Sequence, residues 1–148
     1  MALLMRETSR RFNEEQDNMK WSVLIVDDEP MTQNLLRMML EPAGFSISGV
    51  EDGQSALEKA FQNPPDAMIL DVMMPDMDGI AVCKTLRSRP ETARLPILML
   101  SGKVHLNAEA EGLAAGADKY LAKPMSRTDL INGLRDILNE ASHSNRQN

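Results

Sequence analysis

Cysteine, histidine, aromatics and basic charge are all scarce in this chain. Cys83 is the only cysteine in 148 residues, which excludes an intramolecular disulfide and fits a reducing interior. His105 and His143 share no metal-ligand spacing, and Cys83 falls in a helical pattern with no paired histidine, so it reads as core. Sixteen basic against twenty-two acidic residues leave a net charge of −6. That argues against nucleic acid or an anionic membrane as a direct partner, because both demand a basic face. The most apolar N-terminal run, "ALLM", is far too short for a signal-peptide core, and no segment approaches membrane-spanning length. The expected location is cytoplasmic. Repeats and low-complexity tracts are missing too.

The composition that remains, 43% apolar and 26% charged, is that of an ordinary globular domain. The length suits one domain with a real core and is short for two. Twelve methionines against five aromatics imply a core filled by flexible aliphatic side chains, with Met31, Met38 and Met39 read as packing residues.

Hydrophobic periodicity alternates between two types along the chain. Residues 1–20 are polar, with Leu3, Leu4 and Phe12 as bulky anchors, and read as an extension for which a helix is one option. The domain is expected over 21–140, and a solvated polar tail over 141–148. Buried strands are expected at 22–26, 45–50, 67–70, 96–100 and 119–122. Helical spacing covers 31–40, 54–62, 80–88, 107–116 and 127–140. Pro30 suits a helix start, Gly116 a helix stop, and Ser126 with Asp129 a capping box. Five strands alternating with five helices predict an α/β fold, a doubly wound parallel sheet with helices on both faces. In such sheets ligands bind beyond the carboxyl ends of the strands.

Reading off those ends collects the chemistry. The first strand runs into Asp27, Asp28 and Glu29, the second into Glu51 and Asp52, and the third into Asp71. The fourth ends at Ser101 and Gly102, the fifth at Lys123 and Pro124. Ending a buried run such as "AMIL" on a carboxylate costs several kcal/mol unless the charge is paired, hydrogen-bonded or metal-bound. Three carboxylates at one edge call for a hard cation, and oxygen ligands suit Mg²⁺. A lysine and a hydroxyl nearby supply what holds phosphoryl oxygens. An aspartate in that setting can act as a nucleophile and form an aspartyl-phosphate, which makes Asp71 the acceptor. Plainer roles compete residue by residue: Asp28 or Glu29 can cap the helix at Pro30, and Asp76 and Asp78 can serve the turn and the start of the third helix.

The motifs "LIVDDEP", "MILDVMMPDMDG", "LMLSG" and "YLAKP" together resemble the receiver domain of two-component response regulators, over roughly 21–139. The resemblance implies a flavodoxin-like fold with strand order 2-1-3-4-5. It implies that Asp28 and Asp71 ligate Mg²⁺, with Asp27 acting through water and the Met73 backbone carbonyl contributing an oxygen. Asp71 would accept a phosphoryl group from a histidine kinase or phosphotransfer protein, making the chain a self-phosphorylating signalling module rather than an enzyme. Lys123 would pair with the phosphorylated side chain, Ser101 would hydrogen-bond it, and the Lys123-Pro124 bond would be cis. Ser101 and Tyr120 would form a switch. The face of the fourth helix, fifth strand and fifth helix would then signal to a protein partner or a homodimer. Met73 and Lys103 would flank the path of the attacking water.

A rival reading is a phosphatase of the haloacid-dehalogenase type, because "DMDG" (76–79) resembles its nucleophile loop. There the first aspartate directly follows a buried strand, whereas here Met74 and Pro75 intervene. An EF-hand fails, since its first and twelfth loop positions would fall on Met74 and Thr85. With no output domain in view, the chain reads as either a stand-alone receiver or a module of a longer regulator.

Overall fold

The computed structural model describes residues 20–102 and 107–146, with side chains through residue 142. The expectations resting on Leu3, Leu4, Phe12, Lys103, His105 and the His143 side chain lie outside the described residues.

Five parallel strands, β1 (Ser22–Val26), β2 (Ser46–Val50), β3 (Ala67–Asp71), β4 (Ile97–Ser101) and β5 (Lys119–Ala122), form one sheet in the order β2-β1-β3-β4-β5. The α-helices are α1 (Pro30–Leu40), α2 (Gly53–Gln62), α3 (Gly79–Arg87), α4 (Ala108–Ala114) and α5 (Arg127–Arg146). Alternation along the strands divides the core in two. Leu24, Val26, Met68, Leu70 and Met99 pack with α2 and α3 on one face. Val23, Ile25, Ile69, Leu98 and Leu100 pack with α1 and α5 on the other. Strands covered on both sides explain why β1, β3 and β4 read as continuous apolar runs.

Local chemistry fixes the helix ends. Asp52 caps α2 by accepting from the Ser55 N–H at 2.7 Å, and Asp78 caps α3 through the Ala81 N–H at 2.8 Å. Ser126 accepts from the Asp129 N–H at 3.0 Å at the start of α5. After α4 the chain turns at Gly116, whose φ of 113° is left-handed and favours glycine.

Four expectations are corrected. Glu29 holds the N-cap position of α1, but its carboxylate bonds no backbone N–H there and instead accepts from the Thr32 hydroxyl. Met31 and Met38 are not packing residues, being 83% and 73% exposed, while Met39 does pack against the core. The polar segment from 141 begins as helix, since nothing between Leu138 and Arg146 breaks α5. Asp76 serves α2 rather than the third helix, accepting from the Gly53 and Gln54 N–H groups at 3.1 and 3.2 Å.

The turn from β3 into α3 depends on close backbone approach. Gly79 donates its N–H to the Val72 carbonyl at 2.8 Å, and a Cβ at Gly79 would press on the Asp71 carbonyl oxygen and lie 2.9 Å from the Val72 Cα. Backbone atoms cannot step aside as a side chain can. Gly79→Ala should therefore cost about 1–3 kcal/mol, lowering the thermal midpoint by several degrees in a calorimetric scan. An unchanged midpoint would show that this turn has slack.

Candidate functional site

Asp27 and Asp71 stand side by side because β1 and β3 pair in parallel register, Val26 opposite Leu70, and each aspartate is the next residue along the chain. Both are almost fully buried, at 2% and 7% exposure. Asp28, the next residue along, is exposed. One carboxylate oxygen from each of Asp27, Asp28 and Asp71 lies within 4.8 Å of the others. Among the described residues they are the one such acidic group.

Lys123 enters from the end of β5. Its Nζ lies 3.1 Å from Asp27 Oδ2 and 3.7 Å from Asp71 Oδ1. Its backbone N–H donates to the Ser101 carbonyl at 2.9 Å, and the Lys123-Pro124 bond is cis, as expected. The other oxygen of Asp27 accepts from the Glu29 N–H at 2.9 Å, and Asp71 Oδ1 accepts weakly from the Met73 N–H at 3.4 Å. Ser101 is fully buried at the end of β4, paired with Ala122. Tyr120 pairs with Met99, and its half-buried ring lies against Gly112 of α4.

Burial is the main force that raises the Asp71 pKa from its ordinary 3.8 to about 6; Lys123 opposes it, and Asp27 and Asp28 reinforce it by like-charge repulsion. The donor set is three hard oxygens with one ammonium beside them, an excess of two negative charges when all are ionised. That chemistry fits a hard divalent cation of the Mg²⁺ type.

Three further aspartates near this edge are committed elsewhere. Asp52 caps α2, Asp78 caps α3, and Asp76 bridges the loop after β3 to the start of α2. The phosphatase reading thus fails on geometry, because neither Asp76 nor Asp78 joins the acidic group. Sequence reasoning missed Gln33, whose Nε2 donates to the carbonyls of Asp27 and Val50 at 2.8 and 2.7 Å, tying the ends of β1 and β2 to α1. Gly49 was the available signal: a glycine inside a strand marks close approach, and here a Cβ would collide with the Gln33 amide.

The response regulator receiver domain profile matches residues 23–135. The chain is 41% identical over 120 residues to the response regulator MprA of Mycobacterium sp. (strain KMS), covering 81% of this chain and 51% of that protein. It is 40% identical over 119 residues to the phosphate regulon transcriptional regulatory protein PhoB of Rhizobium meliloti, covering 80% and 52%. Among solved structures, the chemotaxis response regulator CheY4 of Vibrio cholerae superposes with a TM-score of 0.75 at 33% identity, covering 80% of this chain and 99% of that one. The chain belongs to the response regulator receiver domains, the phosphoacceptor modules of two-component signal transduction. It spans about half the length of the curated relatives it matches.

The raised Asp71 pKa gives a pH dependence with a definite sign. The folded, metal-free protein binds this proton more tightly than the unfolded chain, so ionising Asp71 weakens the fold. Its contribution is fully present below pH 3.8 and is lost as pH rises through about 6, a difference of about 3 kcal/mol at most. In EDTA, Asp71→Asn should be the more stable protein at pH 7.5, and the advantage should shrink on acidification to pH 5. Parallel stability profiles for the two proteins across that range would contradict the assignment.

Proposed function

We propose that Asp71 is the phosphoacceptor of this receiver and that Lys123 and Ser101 hold the transferred group. The observation that supports this most is the meeting of Asp27, Asp28 and Asp71 beside Lys123 at one sheet edge. The donor is a histidine kinase or phosphotransfer protein. Asp28, Asp71 and the Met73 backbone carbonyl would hold Mg²⁺, with Asp27 acting through a water. Two observations favour that division. Both Asp27 oxygens already accept hydrogen bonds, one from Lys123 and one from the Glu29 N–H, whereas Asp28 is exposed at the rim. The Val72 carbonyl is taken by Gly79, so the next carbonyl, that of Met73, is the one proposed as a ligand.

When bound, the cation supplies positive charge against the phosphoryl oxygens. The chain's own residues do the rest. The ionised Asp71 carboxylate forms an O–P bond while the P–N bond of the donor phosphohistidine breaks, its electron pair leaving with the imidazole. With a pKa near 6, Asp71 is largely ionised at neutral pH and competent to attack. Lys123 Nζ, already within 3.7 Å of the acceptor, shifts from Asp27 toward the new phosphoryl oxygens. Met73, two residues past the acceptor, is apolar and offers no group to orient an attacking water.

Asp71→Asn should abolish acid-labile phosphorylation by a small phosphodonor such as acetyl phosphate. Asp28→Ala should weaken Mg²⁺ binding more than Asp27→Ala, measured by titration without any phosphodonor. Full phosphorylation of the Asn variant would remove Asp71 as acceptor, and equal metal losses would remove the proposed division of labour.

The output is a change at the face of α4, β5 and α5, read by a protein partner or a second copy. Ser101 and Tyr120 lie diagonally on the same sheet face, since Met99 pairs with Tyr120 and Ser101 with Ala122. A Ser101 hydrogen bond to a phosphoryl oxygen is worth about 1.5–3 kcal/mol, enough to shift a two-state equilibrium about ten- to a hundred-fold. Gly112 lets the Tyr120 ring pack close against α4. Ser101→Ala should permit phosphorylation yet leave the Tyr120 ring resonances unchanged on adding beryllofluoride, while the parent chain shows a shift. Identical ring responses in the two proteins would end this reading of the switch.

A further inference from the structure

Gln33 stands where it can aim an acidic side chain that it does not touch. It lies one turn into α1, its backbone N–H donating to the Glu29 carbonyl at 3.1 Å. Its side-chain amide turns back to the end of the sheet, where Nε2 donates to two carbonyls. One is that of Asp27 at 2.8 Å and the other that of Val50 at 2.7 Å, so both amide hydrogens are engaged.

The Asp27 carbonyl shares a planar peptide unit with the Asp28 N–H, so holding one fixes the other. The next peptide unit is held as well, because the Glu29 N–H donates to Asp27 Oδ1 at 2.9 Å. Asp28 therefore lies between two anchored peptide planes, which leaves its backbone dihedrals little freedom. The side chain itself is less restrained than its neighbours. Both Asp27 oxygens accept hydrogen bonds, and Asp71 Oδ1 faces the Lys123 ammonium and the Met73 N–H. Asp28 is exposed at the rim, and no described residue donates a hydrogen bond to its carboxylate. One of its oxygens nevertheless lies within 4.8 Å of those of Asp27 and Asp71. Backbone placement is what brings it there.

The neighbouring strand is shaped to admit the amide. Gly49 of β2 pairs with Ile25, and a Cβ at Gly49 would collide with Gln33 Oε1. A glycine inside a strand gives up packing, and close approach of another group accounts for it. Strand pairing does not depend on the amide, since the Val50 carbonyl also accepts from the Asp27 N–H at 3.1 Å. The bond to the Asp27 carbonyl is the one that bears on the acidic edge. We propose that Gln33 is a positioning residue for the cation, clamping the Asp27–Asp28 peptide so that the Asp28 carboxylate is held ready to ligate Mg²⁺. This rests on the reading of Asp28 as a ligand.

Magnesium titration by calorimetry without a phosphodonor, and ¹⁵N relaxation in EDTA, test this on the full chain. Gln33→Met keeps side-chain length and helix propensity but cannot donate. It should weaken Mg²⁺ binding about tenfold and lower the Asp28 amide order parameter from about 0.85 toward about 0.6. Gly49→Ala retains the glutamine but pushes its amide aside, and should move both readouts in the same direction. In Asp28→Ala/Gln33→Met the second change should add nothing to the first, because Gln33 acts through Asp28. If Asp28→Ala weakens binding and Gln33→Met does not, the inference falls while the ligand assignment stands. Unchanged binding in Asp28→Ala would remove both. Losses that add in the double variant would show a general loosening of the fold and would overturn the positioning role.

Discussion

Two buried carboxylates in adjacent positions of a parallel sheet are the constraint around which this domain is organised. The register that sets Val26 against Leu70 brings the ends of β1 and β3 level, so Asp27 and Asp71 must be neighbours. Two unit charges about 5 Å apart at an effective dielectric near 20 repel by about 3 kcal/mol. The single ammonium of Lys123 offsets part of this, 3.1 Å from one carboxylate and 3.7 Å from the other. Its position is fixed from two strands away, through the bond between its backbone N–H and the Ser101 carbonyl. Burial, opposed by Lys123 and reinforced by Asp27, raises the Asp71 pKa to about 6, and one weak backbone N–H contact is all the backbone offers its charge. An acid kept under-compensated in this way has capacity left for a cation and a phosphoryl group.

The carboxylates outside the acidic group are held largely by backbone N–H groups. Asp66 accepts from the Ser22 N–H at 2.7 Å, Asp118 from the Ile97 N–H at 2.8 Å, and Asp52, Asp76 and Asp78 from helix starts. Hydrogen bonds to the ionised form hold it charged, and the pKa of Asp76 is accordingly lowered, foremost by the Gly53 N–H. Asp71 is placed the opposite way, buried and poorly hydrogen-bonded. The contrast matters because Asp71, Asp76 and Asp78 lie within eight residues of one another in sequence. Their roles follow from what each oxygen meets, which is also what eliminates a nucleophile loop at 76–79.

Much of this was legible in the sequence because the relevant signals are local. Apolar runs ending in charge located β1 and β3, and the rule that ligands gather beyond strand ends brought Asp27, Asp28, Asp71, Ser101 and Lys123 together before any geometry was known. What could not be read was set by contacts distant along the chain. Asp76 looked like a turn residue because its partners, Gly53 and Gln54, lie 23 and 22 residues away. Met31 and Met38 looked like core because α1 has more apolar residues than one buried face can take, and periodicity alone does not say which are left outside. The polar stretch after Glu140 looked like a tail because it offers nothing to bury, yet a helix already nucleated by Leu130, Leu134, Ile137 and Leu138 can propagate through it.

The same sheet that gathers the carboxylates also links them to a surface. Asp71 pairs with Leu100, immediately before Ser101, and Ser101 shares a sheet face with Met99 and Tyr120. Two strand pairings, β3 with β4 and β4 with β5, therefore separate the acidic edge from an aromatic ring packed on α4. The ring rests where α4 has Gly112, a residue that weakens an isolated helix by about 1 kcal/mol relative to alanine. A Cβ there would lie 2.9 Å from both Tyr120 Cδ2 and Met99 Sδ. Part of the local stability of α4 is thus given up for close packing of the ring on the helix. Asn107 also leaves this helix without a side-chain cap, and α4 is the shortest of the described α-helices at seven residues. Elements of low local stability are the ones a bias of a few kcal/mol can move. The face of α4 and β5 combines such an element with a strand connection to Asp71, and that pairing is the physical basis of the output proposed for it.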